Sequence, residues 1–218
     1  MFEHKHPYPP FIPKNATKLI VGTLPPPRFY RGKLKNGDVN FSYGSIDGLL
    51  WKVLNQIYSL QLDFETTDQA IRQRKKFLSE RKIGICDIVR SCHRKKIDAS
   101  DLGMENIVLR DMLFYLNKYP KIHTLLLTGG NSKNGPEYHL RGLLKKEGIT
   151  LFLKSELTPK IHEFELQGNR KIKVVSLIAP FGSANRAIGS NLDYKVMKMK
   201  NPLFNTFDYR VLQYQRFF

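Results

Sequence analysis

The stretch from Lys18 to Trp51 commits the chain to a strand, a stiff loop and a helix. Leu19, Ile20 and Val21 form a β-branched apolar run, the mark of a buried strand. Gly22 to Pro27 cannot prolong it, because Pro25, Pro26 and Pro27 lack the N–H that a ladder requires. From Ile46 onward, Leu49, Leu50, Val53, Leu54 and Ile57 fall at helical spacing. In open α/β sheets, ligands sit beyond the carboxyl ends of the strands, which is where this loop must lie.

The rest of the chain repeats the alternation. Ile83–Val89, Ile122–Leu127, Ile149–Leu153, His162–Leu166 and Lys171–Ile178 have strand character, the last two flanking a turn. Helical spacing predicts helices over 46–60, 66–81, 104–118, 136–147, 193–200 and 206–217, with Ser45 or Asp47 as N-cap candidates of the first. This order predicts an α/β fold: a three-layer α/β/α domain, doubly wound, with a central, mainly parallel sheet of about four strands. Residues 1–17, with Pro7, Pro9, Pro10 and Pro13, are expected to form an extended arm before a single domain over 18–218.

Lys and Arg number 36 against 19 Asp and Glu, a formal charge of +17 in 218 residues. Such an excess attracts polyanions, and nucleic acid is the expected partner; a basic ribosomal or lipid-surface protein is the other reading. One basic loop carries Arg28, Arg31, Lys33 and Lys35, and a second carries Arg90, His93, Arg94, Lys95 and Lys96. Both are suited to phosphates, or are simply solvated. No apolar run is long enough for a membrane span, and the N-terminus has no signal-peptide core. Cys86 and Cys92 are too few for a disulfide framework, so a cytoplasmic location is expected, at the nucleoid in a bacterium. The six histidines show no zinc spacing, and no Walker, Gly-x-Gly-x-x-Gly or Gly-x-Ser-x-Gly motif occurs, so no metal or cofactor is expected.

Several segments, in this order, resemble the motifs of the uracil-DNA glycosylase superfamily, nearest its mismatch-specific and hypoxanthine (deoxyinosine) DNA glycosylase-like members. They are Gly22-Thr23-Leu24-Pro25-Pro26, the aromatic-to-helix segment Tyr43 to Trp51, and the run Gly84 to Arg94. That run is similar to Gly-x-x-Asp-Val-x-x-Ser-Cys-x-Arg. Thr128-Gly129 follows at matching spacing, and Ala179 to Asn185 is similar to Pro-Ser-x-Ser-x-Ala-Asn. The resemblance implies a cofactor-free, monomeric, monofunctional DNA glycosylase. Its substrate is duplex DNA with a damaged or mismatched base, uracil or hypoxanthine being the candidates. The departures are Leu24, where many members carry Asp or Asn, Gly48, where the subgroup has Asn, and Pro180 and Gly182, where serines are expected. They motivate two alternatives: a glycosylase-fold module that binds DNA without cleaving it, or an RNA-binding protein.

Hydrolysis of an N-glycosidic bond builds positive charge on the sugar and negative charge on the base, and it needs an activated water. The base must leave the duplex for a pocket that reads it by stacking and polar contacts. The expected base-binding residues are Gly22, Thr23, Leu24, Tyr43 and Asp87. The resemblance makes Tyr43 the stacking aromatic; alternatively it packs beside the core helix. Asp47 is a candidate to orient water or face the sugar cation, or else caps the helix. Asp87, in an apolar strand, either meets Arg90 or Arg94 or points into the pocket to take part in catalysis. Arg28, Arg31, Arg90, Arg94, Ser183, Asn185 and Arg186 are the expected DNA contacts. The late loop either wedges into the duplex and holds a phosphate, or is a capping turn.

Overall fold

The computed structural model describes residues 1–218. In chain order the elements are β1 (Phe2–Lys5), β2 (Lys18–Val21), α1 (Pro27–Tyr30), α2 (Leu50–Tyr58) and α3 (Asp68–Glu80). Then come β3 (Ile83–Ile85), β4 (Val89–Arg94), β5 (Glu105–Leu109), α4 (Met112–Lys118), β6 (Thr124–Leu127) and α5 (Pro136–Lys146). The chain closes with β7 (Phe152–Ser155), β8 (Lys160–Leu166), β9 (Arg170–Ser176), α6 (Asn185–Ser190), α7 (Leu192–Lys200) and α8 (Thr206–Gln215). No helix is long and apolar enough to cross a membrane.

The architecture is α/β, with a mixed six-stranded sheet in the order β3-β2-β6-β9-β8-β7 and a three-stranded sheet in the order β1-β4-β5. The larger sheet thus exceeds the expected four strands. Its parallel part, β3-β2-β6-β9, has four strands. The turn after Leu166 then folds β8 back antiparallel to β9, and β7 pairs antiparallel beyond it. From β2 the chain passes first to β3 on one side and then to β6 on the other. That reversal opens a crevice between the carboxyl ends of β2 and β6, the place where such sheets bind ligands.

Strand alternation divides the core. Leu19, Val21, Leu125, Leu127 and Val174 point to one face, where Met112 and Leu116 of α4, Leu140 and Leu144 of α5 and part of the small sheet cover them. Ile20, Leu126 and Val175 point to the other, under Leu50, Trp51 and Leu54 of α2, Phe77 and Leu78 of α3 and Tyr214 of α8.

Four local expectations change. The run Ile83–Val89 breaks after Ile85: Cys86 to Ile88 cross from one sheet to the other, tied by the Ile88 N–H to Gly22 O at 2.8 Å. Residues 90–94, expected as a basic loop, are a strand flanked by β1 and β5. The predicted helix 104–118 begins only at Met112, where the Asp111 side chain caps Phe114 N–H; before it, Glu105–Leu109 pairs with β4. The arm runs extended, tied in through β1 and a bridge from Phe11 to Ile85. The first helix starts at Leu50 with no side-chain cap, so neither Ser45 nor Asp47 caps it.

Candidate active site

The loops at the carboxyl rim enclose a cleft of about 1080 Å³. Gly22, Thr23 and Leu24 leave β2 along one wall; Tyr43 to Ser45, Asp87 and Thr128 to Gly130 form its floor and sides, and Ser183 stands at the late loop. Of the residues anticipated from sequence, Gly22, Thr23, Leu24, Tyr43, Asp87 and Ser183 line this one space.

Asp87 is the hub of the floor. Its Oδ1 accepts from Gly22 N–H at 2.9 Å and from the Tyr43 hydroxyl at 2.8 Å, and its Oδ2 meets His6 Nε2 at 2.9 Å. The His6 Nδ1 accepts from Tyr8 N–H, which assigns the proton to Nε2 and makes His6 the donor to Asp87. The basic partner of Asp87 is therefore a histidine of the arm, neither Arg90 nor Arg94. Arg94 is buried, donating to His4 Nδ1 at 3.0 Å and to Ser100 O at 2.6 Å, so it braces a loop and does not face DNA.

The Tyr43 hydroxyl also lies 3.0 Å from Thr128 Oγ1. With the tyrosine proton given to Asp87, Thr128 becomes the donor to Tyr43. Tyr43 holds a left-handed φ of 59°, uncommon for a bulky side chain and fixed here by the grip on its hydroxyl. Burial and the neighbouring Asp87 charge raise the pKa of this phenol well above its ordinary value, so it stays a neutral donor. Gly22 is obligatory: a methyl group there would overlap the Tyr43 hydroxyl and lie 2.9 Å from both Asp87 Oδ1 and Thr128 Oγ1. Beyond Thr128, the N–H groups of Gly129 and Gly130 have no backbone acceptor and are free for a ligand.

The first and last loops are joined. Leu49 N–H donates to Pro180 O at 2.8 Å, and Gly48 bridges Phe181. Arg210 of α8, fully buried, reaches under the late loop to Ala179 O, Phe181 O and Asn185 Oδ1 at 3.2–3.3 Å. Asn185 is thereby engaged in holding the loop and does not line the cleft.

Two further anticipated residues stand elsewhere. Asp47 is 62% exposed, lies outside the cleft and pairs with Arg28 and Lys35 at 3.2 and 3.3 Å. Arg28 is itself consumed: its Nε and Nη2 grip the buried Asp38 at 2.8 and 2.9 Å, and Nη2 reaches Ser45 Oγ. It organises the loop and is not free to bind phosphate. Arg31, Arg90 and Arg186 are exposed.

The cleft also contains groups not anticipated from sequence. Asp101 lines it and accepts from Thr23 Oγ1 at 2.7 Å. At the far end, the buried Glu137 accepts from Arg141 at 2.7–2.8 Å and from Ser176 at 2.6 Å, while Arg141 Nη2 lies 2.7 Å from His162 Nε2. Burial lowers the His162 pKa, helped by Arg141 and opposed by Glu137. Glu137 had one visible signal, an acid in the first turn of a helix. His6 had none, because nothing local ties the arm to Asp87.

No protein-family model matches this chain, and a search of curated proteins finds no match to it.

Proposed function

We propose that the chain is a DNA glycosylase of the uracil-DNA glycosylase type, hydrolysing the bond between deoxyribose and a deaminated base, uracil or hypoxanthine. The observation that carries this reading is the convergence of the Gly22, Tyr43, Asp87, Thr128 and Ser183 segments on one cleft at the point where the strand order reverses. Helical cover on both sheet faces fits the three-layer arrangement of that superfamily. The +17 charge suits duplex DNA as partner. The mechanism uses no cofactor, and the reading takes the protein as a cytoplasmic monomer.

An extruded base would enter the cleft beside Tyr43, its polar edge meeting the N–H groups of Gly129 and Gly130. These donors are fixed before the base arrives and face the atoms on which negative charge grows. Asp87 is a carboxylate and would repel an anionic base, so its part is to hold the Tyr43 hydroxyl, which Thr128 grips from the other side. Arg31, exposed after α1, Arg186, exposed on α6, and Ser183 in the cleft lining are the residues proposed to meet phosphates.

Leu24 favours the second reading, a module that binds DNA but does not cleave it, because an apolar side chain lines the wall where the superfamily places a polar one. Duplexes carrying uracil or hypoxanthine, incubated with the protein and then cleaved with alkali, separate the two. A strand break at the modified position is expected. Tight lesion binding with no break supports the module, and neither binding nor break removes both. Binding is expected to weaken steeply between 50 and 200 mM salt, by about tenfold or more, as for any interface built on several phosphate contacts.

A further inference from the structure

Resting on the glycosylase reading, we propose that Asp101, held by Thr23, is the carboxylate that takes the proton of the attacking water. It would fill the chemical gap left by Leu24 from a different loop. Asp101 opens a short turn, Asp101–Gly103, between β4 and β5, and lines the cleft together with Ala99 and Ser100. Its Oδ1 accepts from Thr23 Oγ1 at 2.7 Å, and Thr23 is the immediate neighbour of Leu24. The carboxyl group therefore stands against the Gly22–Leu24 segment within the cleft lining.

Buried side chains fix this loop. Asn134 Nδ2 donates to Asp101 O at 3.0 Å and to Met104 O at 3.1 Å, and Arg94 Nη1 donates to Ser100 O at 2.6 Å. A group that must act on a substrate needs such a brace. Asp101 forms no salt bridge, although the chain carries an excess of 17 positive charges, and its one side-chain partner is a neutral hydroxyl. Asp47 differs in every respect, being exposed, ion-paired and outside the cleft.

Burial, with the Asp87 charge behind it, pushes the Asp101 pKa up to about 6, against the opposing effects of Thr23 and Arg94. The charged and titratable groups around it are Arg94 and Cys92 of β4, Asp98 of its own loop, and Asp87 backed by His6. A base of this strength is ionised at neutral pH and still basic enough to help water.

In the step itself, a water oxygen bonds to C1′ as the C1′–N bond breaks. The electron pair of that bond goes to the base nitrogen, and the water proton passes to Asp101. The base leaves as an anion against the N–H groups of Gly129 and Gly130, then takes up a proton, and Asp101 returns its own to solvent.

The test is single-turnover excision by wild type, Asp101→Asn and Asp101→Glu across pH 5–9. The wild-type rate is expected to rise with pH and level off above about 6. Asp101→Asn should lose about 10²–10⁴-fold and the inflection with it, the range for loss of a general base. Asp101→Glu should keep part of the rate and the inflection. Affinity for the uncut duplex should hold within about threefold. A carboxyl group whose pKa is raised on folding costs stability as pH climbs from its unfolded value through about 6, and the full cost stands above that, so Asp101→Asn should melt at or above the wild-type temperature at pH 8. An Asn variant within threefold of wild type, or one that keeps the inflection, overturns the proposal alone. A wild type that makes no abasic product overturns the glycosylase reading and this proposal with it.

Discussion

Asp87→Ala is expected to destabilise the protein by about 3–5 kcal/mol, the range for removing one member of a buried charged network. Three donors lose their acceptor at once: Gly22 N–H, the Tyr43 hydroxyl and His6 Nε2–H. Gly22 is buried and the His6 side chain is only 3% exposed, so unpaired donors there are costly. Asp87→Asn should cost less, about 1–3 kcal/mol. Its oxygen can replace Oδ1, but its amide would face His6 Nε2–H as donor against donor. His6 cannot change tautomer without opposing Tyr8 N–H. Urea unfolding measures both. An Asp87→Ala midpoint unchanged from wild type would mean that the arm and the cleft floor are not coupled through this carboxylate.

That coupling marks the limit of sequence reading. The polyproline arm predicts extended chain, which β1 and the bridge at Phe11 satisfy, but extended chain says nothing about what it crosses. His6 and Asp87 are 81 residues apart, and no local periodicity links them. Of the four parallel strands, β3 reads as too long, through to Val89, whereas β2, β6 and β9 were legible because each is a short β-branched or leucine-rich run closed by Gly22, Thr128 or Ala179-Pro180. The small sheet was not. Ile107 and Val108 fit a helical stripe with Met112 and Leu116 as well as they fit a strand, and pairing with β4 decided the matter. Cys86 to Ile88 read as strand because they are buried, and they are buried because they cross between two sheets.

The cleft was legible where its residues lie at strand ends. Gly22 and Asp87 mark the ends of β2 and β3, and Thr128 the end of β6, so the topology alone brings them together. Charge was the poorer guide. Arg28 and Arg94 read as DNA contacts because they stand in basic runs, yet both turn inward to meet Asp38 and His4. In a chain with so many cations, a buried acid or imidazole elsewhere in the chain, Asp38 for Arg28 and His4 for Arg94, selects which of them turns inward. Asp101 was hidden for the converse reason: behind Lys95 and Lys96 it reads as part of a solvated loop, and only Thr23, 78 residues away, turns it toward the cleft.

Asp38→Ala is expected to have an effect of similar size, about 3–5 kcal/mol, and to release the loop from Arg28 to Asp47. Asp38 is fully buried, and its carboxylate takes Arg28 Nε and Nη2 together with the N–H groups of Lys35 and Ile46 at 2.8–2.9 Å. Removing it takes the Nε acceptor and one Nη2 acceptor from a largely buried guanidinium, which keeps only Ser45 and the exposed Asp47, and it orphans the N–H groups of Lys35 and Ile46. Arg31, Lys33 and Lys35, already exposed, then lie in a mobile segment, so trypsin should cut there far faster than in wild type. Tyr43 to Ser45 belong to the same loop, so the cleft should loosen as well. Burial raises the Asp38 pKa, but the Arg28, Ile46 and Lys35 hydrogen bonds more than offset it and hold the group below its ordinary value. The unfolded chain therefore takes up this proton first as pH falls, and the stability that Asp38 contributes is whole above about pH 4 and lost below it. Unfolding midpoints measured between pH 6 and pH 3 should fall more steeply for wild type than for Asp38→Asn. Parallel slopes, with a tryptic pattern unchanged by Asp38→Ala, would show that the loop is held by its prolines and its apolar contacts, and not by this ion pair.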